Sequence, residues 1–249
     1  MRVPFARLLR ETPRMEITRR GTGEEDLLVV LGWGNRPTHE HVAWLLTRLL
    51  EAGYRVHAVT IPTNVWDFDD QYLAPLDDYV SVHDFDVVLS HSTGGLIAEH
   101  LAERHPLRNV FLSPWWGVRT AGRIDPAILA LFERLPTTRR LYSPDLDAGA
   151  IGDLKSPAEA ELGPSGLSPA FLATIRDAQT RLGAFDESDV VFYTPTDRVV
   201  DPAAIEARAP TANRVRYDGG HEFFASSGRN AVLDDVLAAL DGGPDAVTA

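Results

Sequence analysis

The stretch Asp86-Val-Val-Leu-Ser-His-Ser-Thr-Gly-Gly-Leu-Ile-Ala98 decides the architecture. Val87 to Leu89 is a short apolar run that reads as a buried strand, followed by a tight turn of small residues and then an apolar helix. Ser92 sits at the apex of that turn. A strand that reverses so abruptly into a helix holds its apex residue in a strained backbone conformation, with the side chain projecting above the sheet. Strand and helix approach each other two positions either side of the apex, so small side chains are needed there. Ser90 and Gly94 meet that need, and Gly95 lets the helix start close to the strand. By itself the turn is also compatible with a serine-rich bend that carries no chemistry.

Around this turn the chain alternates strands and helices. Met15 to Arg20 reads as an edge strand. Leu27 to Leu31 is five apolar residues between charge and glycine, the pattern of a strand buried on both faces. A Gly32-Trp33-Gly34 loop follows, then a helix with Thr38 as cap, Val42, Leu45, Leu46 and Leu49 on one face, and Gly53 as its stop. Tyr54 to Ile61 and Asn109 to Ser113 are further strands. Such alternation calls for a mostly parallel sheet covered by helices on both sides.

The rhythm stops between Trp115 and Ser188, where no apolar strand occurs. Asp125-Pro126, Ser156-Pro157 and Ser168-Pro169 are helix starts, each a capping residue before proline. Ile128, Leu131, Phe132 and Leu135 mark one amphipathic helix, and Phe171, Leu172, Ile175 and Leu182 another, with a loop-like stretch from Gly149 to Gly166 between them. This reads as a helical insertion, residues 115–188, within a core of residues 1–114 and 189–249. The alternation resumes with a strand at Val190 to Tyr193, a helix opened by Asp201-Pro202, a short strand at Val215 to Tyr217 and a final helix through Leu240. A frayed tail from Gly242 is expected.

Composition narrows the function. The net charge of −12 argues against nucleic acid, whose phosphates would be repelled. With no cysteine, disulfides, thiolate metal sites and a cysteine nucleophile are excluded. No stretch approaches the roughly 18 uninterrupted apolar residues of a membrane span. Met1 to Arg14 has no apolar leader, so a cytoplasmic location is the expectation. No cofactor or metal is called for, and the oligomeric state is left open.

A serine hydroxyl needs a base to take its proton and a third group to orient that base. His221 stands out among the eight histidines: it follows two glycines just after a strand, at the carboxyl edge of the sheet where open α/β sheets place ligands. Asp197 and Asp201 both follow the strand ending at Tyr193. Asp201 precedes proline and a helix and is expected to cap it, which leaves Asp197 as the orienting acid. Negative charge on a carbonyl oxygen is best met by fixed backbone amides; that of Thr93 lies at a helix N-terminus, and the Gly32-Trp33-Gly34 loop offers a second.

These residues carry a family resemblance. Over essentially its whole length the sequence resembles an α/β-hydrolase-fold protein. Ser90-His-Ser-Thr-Gly-Gly95 resembles the nucleophile elbow Gly-His-Ser-x-Gly-Gly, with serine for the first glycine. Leu31-Gly-Trp-Gly34 resembles the His-Gly-x-Gly oxyanion loop, with leucine for histidine. Thr-Asp197-Arg-Val-Val resembles the acid loop and Gly-Gly-His221 the base loop, in the family's order. The resemblance implies a sheet of about eight strands with a helical lid inserted after the sixth. It also implies a triad of Ser92, Asp197 and His221, an oxyanion hole from the Trp33 and Thr93 amides, and acyl transfer to water. The expected reaction is hydrolysis of a carboxylic ester or thioester of a small or medium apolar molecule, with Trp66, Trp115, Trp116 and Phe223 around the acyl pocket. An acyltransferase, a carbon–carbon hydrolase or a non-hydrolytic binding protein on the same scaffold is the alternative.

Overall fold

The computed structural model describes residues 14–118, 126–143 and 147–247. In chain order these form β1 (Glu16–Arg20), β2 (Glu25–Val30), α1 (Glu40–Glu51), β3 (Tyr54–Thr60), α2 (Ala74–Val80), β4 (Val87–His91), α3 (Thr93–Ala102) and β5 (Arg108–Leu112). There follow α4 (Pro126–Glu133), α5 (Ala148–Ile151), α6 (Pro157–Ala160), α7 (Pro169–Thr180), β6 (Val190–Tyr193), α8 (Pro202–Arg208), β7 (Arg214–Arg216) and α9 (Arg229–Gly242). One turn of π-helix, Asp69–Leu73, leads into α2.

The strands make one seven-stranded sheet in the order β1-β3-β2-β4-β5-β6-β7, antiparallel only between β1 and β3. The expected count of about eight came with the family resemblance; the described residues supply seven, so the helical segment follows the fifth of them. Alternation along each strand divides the core in two. Leu28, Val30, Val88, Phe111 and Val191 face α2, α3, α7 and α8, whereas Leu27, Val29, Leu89, Val110 and Phe192 face α1 and α9. Each inner strand is therefore apolar on both faces, which is why the sequence shows continuous runs rather than alternation.

Local signals hold with a few shifts. Ser156 and Ser168 accept hydrogen bonds from Glu159 N–H and Phe171 N–H as caps, and Asp201 accepts from Ala203 N–H. Asp125 lies outside the described residues. The expected Thr38 cap is one residue early: His39 occupies the cap position and makes no side-chain bond there. The stretch from Gly149 to Gly166 is not all loop, because α5 and α6 form single turns in it. Beyond Gly242 the chain makes a turn of 3-10 helix, Gly243–Ala246, in place of the expected fraying. The stripe on α4 holds only in part: Phe132 is half-buried, Ile128 and Leu131 are 63% and 65% exposed, and Leu129 turns inward.

After β2 the chain crosses to β3 on one side and then returns to β4 on the other. This reversal opens a crevice at the carboxyl ends of β2 and β4, the usual ligand position in an open α/β sheet.

Candidate active site

Ser92 caps α3 at the carboxyl end of β4, with φ 53° and ψ −117°. For a residue with a Cβ this region costs about 1–3 kcal/mol and persists only when the surroundings over-determine it. They do here. Ser92 N–H donates to Leu112 O at 3.0 Å, while Ser92 O accepts from Gly95 N–H at 2.9 Å and Trp115 N–H at 2.9 Å. A Cβ on Gly94 would lie 2.2 Å from Val30 O, so β2 and α3 meet at a distance that only glycine allows.

The loop after β2 meets the same turn. A Cβ on Gly32 would lie 2.5 Å from His91 Nδ1 and 3.2 Å from Ser92 Cβ. Asn35 N–H closes this loop on Gly32 O at 3.0 Å. Trp33 is anchored through its indole, which donates to Thr63 O at 2.8 Å and stacks on Phe171 with ring centres 5.7 Å apart.

Asp197 and His221 come together beneath the crevice. His221 Nδ1 and Asp197 Oδ2 are 2.8 Å apart, and both side chains are almost wholly buried. Asp197 Oδ1 accepts from Val199 N–H at 2.7 Å and Val200 N–H at 3.0 Å. Burial pushes the Asp197 carboxyl up, but the His221 ring and the two amides outweigh it and hold the group below its ordinary range. Asp197 thus presents an ionised oxygen to His221 Nδ1, and a ring that donates from Nδ1 keeps Nε2 as an acceptor.

Further groups, which no sequence pattern links to His221, hold the loop that carries it. Ser113, at φ 42°, is the other non-glycine residue with positive φ among the described residues. Its Oγ lies 2.9 Å from Tyr217 Oη, which in turn reaches Gly220 O at 3.0 Å and His221 O at 3.2 Å. His91 packs on the His221 ring at 4.7 Å, with Phe224 on another side. Burial, then the nearby His221, drive the His91 pKa well down, so this imidazole stays neutral.

A cavity of about 1160 Å³ opens over these groups, lined by Trp33, His91, Ser92, Thr93, Trp115 and His221. Leu129, Phe132, Leu141, Leu167 and Leu172 supply its apolar wall. Of the four aromatics expected there, Trp115 lines it and three do not. Trp66 is half exposed, on a turn fixed by Gln71 Oε1 accepting from the Trp66 N–H. Trp116 points into the core, edge-on to Phe111 at 4.9 Å with the Arg208 guanidinium over its ring. Phe223 is buried in the opposite core against Tyr217 and Phe224. No group of three or more His, Asp or Glu suited to a metal ion occurs among the described residues.

A family model described as "Alpha/beta hydrolase family" matches residues 27–235, which span the crevice, the acid loop and the base loop. The chain belongs to the alpha/beta hydrolase family. Among curated proteins nothing matches. Solved structures share the fold of this alpha/beta hydrolase at low identity. A monoacylglycerol lipase from Paleococcus ferrophilus aligns with a TM-score of 0.70 at 17% identity, covering 90% of this chain and 99% of its own. A soluble variant of monoglyceride lipase from Saccharomyces cerevisiae, in complex with a substrate analog, aligns at 0.71 and 14% identity, covering 99% and 98%. An esterase from Exiguobacterium antarcticum aligns at 0.62 and 14%, covering 91% and 95%. Among the described residues of this alpha/beta hydrolase no helix is long and apolar enough to cross a membrane.

Proposed function

We propose that the protein is a serine hydrolase that cleaves a carboxylic ester or thioester of a small or medium apolar substrate through an acyl-serine intermediate. The observation that carries the reading is the buried Asp197–His221 pair at 2.8 Å, below a cavity that Ser92 and His221 both line. In this reading Ser92 Oγ attacks the acyl carbon while His221 Nε2 takes its proton, and Asp197 keeps the imidazole in the required tautomer. The oxyanion is received by the N–H groups of Trp33 and Thr93. The Thr93 amide, as the first of α3, has no intrahelical acceptor and stands at the positive end of the helix dipole. His221 then protonates the leaving alkoxide or thiolate, and water repeats the sequence on the acyl-serine to release the acid.

The leucines and Phe132 of the cavity wall favour an apolar acyl group. Most of that wall comes from residues 115–188, which serve as a lid over a core of residues 1–114 and 189–249. The fold is shared with lipases and an esterase, which supports ester hydrolysis as the reaction class.

A fluorophosphonate probe is expected to label Ser92. Ser92→Ala is expected to lose both the label and the hydrolysis of short p-nitrophenyl esters. Undiminished hydrolysis by Ser92→Ala would remove this serine from the mechanism.

A further inference from the structure

The loops that carry Asp197 and His221 are both tied to one short stretch, residues 147–155, that belongs to neither. His221 N–H donates to Ala150 O at 3.2 Å and Glu222 N–H to Ile151 O at 2.7 Å. Ser227 N–H likewise donates to Asp153 Oδ1 at 2.7 Å, and in the other direction Leu154 N–H donates to Ala225 O at 2.9 Å. The two backbones touch: a Cβ on Gly152 would lie 2.4 Å from Ala225 O, and one on Gly220 would lie 2.5 Å from Ile151 O. On the acid side, Arg198 donates to Asp147 Oδ2 at 2.7 Å.

The two side-chain ties differ in character. Arg198 and Asp147 are 45% and 59% exposed, and an ion pair so open to water contributes little. Lys155 Nζ reaches Glu222 Oε2 at 2.7 Å with the side chains only 10% and 6% exposed. Burying both charges costs about as much as their attraction returns, so a pair like this is weak evidence for stability and better evidence for a fixed geometry. The choice of cation is informative as well. The chain contains 23 arginines and a single lysine, and that lysine is Lys155. An ammonium is a compact point charge, whereas a guanidinium is a broad planar fork. Glu222 is the residue immediately after His221.

We infer that Lys155 is a positioning residue: its buried ion pair with Glu222 latches residues 147–155 onto the base loop and sets the place of His221 over Ser92. The inference rests on the proposed hydrolase reading for its catalytic consequence, but the latch itself is a property of the fold. Lys155 does its work through Glu222 and the backbone of His221, without touching the reacting atoms. Since a displacement of about 1 Å at a catalytic group costs on the order of 100-fold in rate, a loop held at one more point has a measurable effect.

Removing Lys155 alone would strand a buried carboxylate, so the informative variant is the double substitution Lys155→Met/Glu222→Gln, which keeps the volume and removes both charges. It is expected to fold with a Tm close to the parent, to lose about 10- to 100-fold in kcat and in the rate of fluorophosphonate labelling, and to keep KM within about threefold. Lys155→Arg, which retains the charge on a bulkier head, is expected to fall between the two. Hydrogen exchange of the backbone amides of residues 221–227 is expected to quicken about tenfold in the double variant. Parent-like kcat together with parent-like exchange in the double variant would overturn the proposal. If the parent protein neither hydrolyses esters nor labels at Ser92, the hydrolase reading has failed. The exchange of residues 221–227 then still decides the latch, because unchanged exchange overturns it.

Discussion

Asp197 divides its two carboxylate oxygens between His221 and the backbone: Oδ2 meets the imidazole Nδ1 at 2.8 Å, and Oδ1 accepts from the amides of Val199 and Val200. The Asp197 carboxylate is thus fixed by its own loop as well as by His221. Asp197→Asn keeps an oxygen for the two amides, so the loop is expected to survive. Its amide nitrogen, however, would donate toward Nδ1 and force the imidazole into the tautomer whose Nε2 carries the proton. A fall in kcat of about 10³- to 10⁴-fold with little change in Tm is expected, measured on p-nitrophenyl esters beside a thermal melt.

Ser92 is held at φ 53° by bonds to Leu112, Gly95 and Trp115, and the strain is released wherever a side chain is not required. Ser92→Gly tolerates this backbone region. The relief of about 1–3 kcal/mol outweighs the entropy a glycine loses on folding, about 0.5–1 kcal/mol. The variant is expected to be inactive and more stable by about 1 kcal/mol in urea unfolding. A less stable Ser92→Gly would mean that the turn is not strained.

What the sequence made legible follows from the range of each signal. The turn at Ser92 is encoded within six residues, since the close approach of β2 and α3 demands small side chains at set spacings. His221 and Asp197 could be chosen because each follows an apolar run with no competing duty, unlike Asp201, which caps α8. The aromatics were not separable in this way. Trp115 and Trp116 are adjacent and alike in sequence, yet one lines the cavity and the other packs on Phe111. Phe223 follows the base loop but turns into the core beneath it. Lys155 and Glu222 are 67 residues apart, and no periodicity links them. Nor did the spacing of Ile128, Leu131, Phe132 and Leu135 say which of them would be covered: Phe132 lines the cavity and the other three stay exposed.

Near the amino end of β2 a partly buried chain of groups contributes to the response to acid. Asp26 takes two hydrogen bonds from Arg55 and one from His57 Nε2 at 2.7 Å, and His57 Nδ1 meets Tyr79 Oη at 2.7 Å. Arg55 first, then His57, outweigh burial and lower the Asp26 pKa to about 2, while burial lowers that of His57 despite Asp26. Both groups are depressed in the folded state, so each contributes stability that is present near neutrality and lost on acidification. The His57 share goes as pH falls below about 6.5, its ordinary value, and the Asp26 share goes between about 4 and 2. His57→Gln can still donate to Asp26 and accept from Tyr79 without titrating. Its unfolding free energy is expected to fall less steeply than the parent's between pH 6.5 and 5, and a parallel decline would exclude His57 as a source of the slope.

Asp189 works with the opposite sign. Its carboxyl lies almost wholly buried at the start of β6, accepting from Asn109 N–H at 2.6 Å. Burial raises its pKa to about 7, with Glu99 and Asp186 adding to the rise and the Asn109 hydrogen bonds opposing it. A group raised in this way favours the folded state while it is protonated. That contribution is complete below about pH 4, is lost as pH climbs toward 7, and is absent above it. At pH 8 the folded protein therefore carries a buried negative charge that the unfolded chain would hydrate. Asp189→Asn keeps an oxygen for the Asn109 amide and removes the charge. It is expected to be more stable than the parent by about 2–4 kcal/mol at pH 8, with the difference shrinking toward pH 4. Urea unfolding at the two pH values measures this directly. A variant destabilised equally at both would mean that the ionised carboxylate is needed where it lies, as an acceptor for Asn109 rather than a cost of burial.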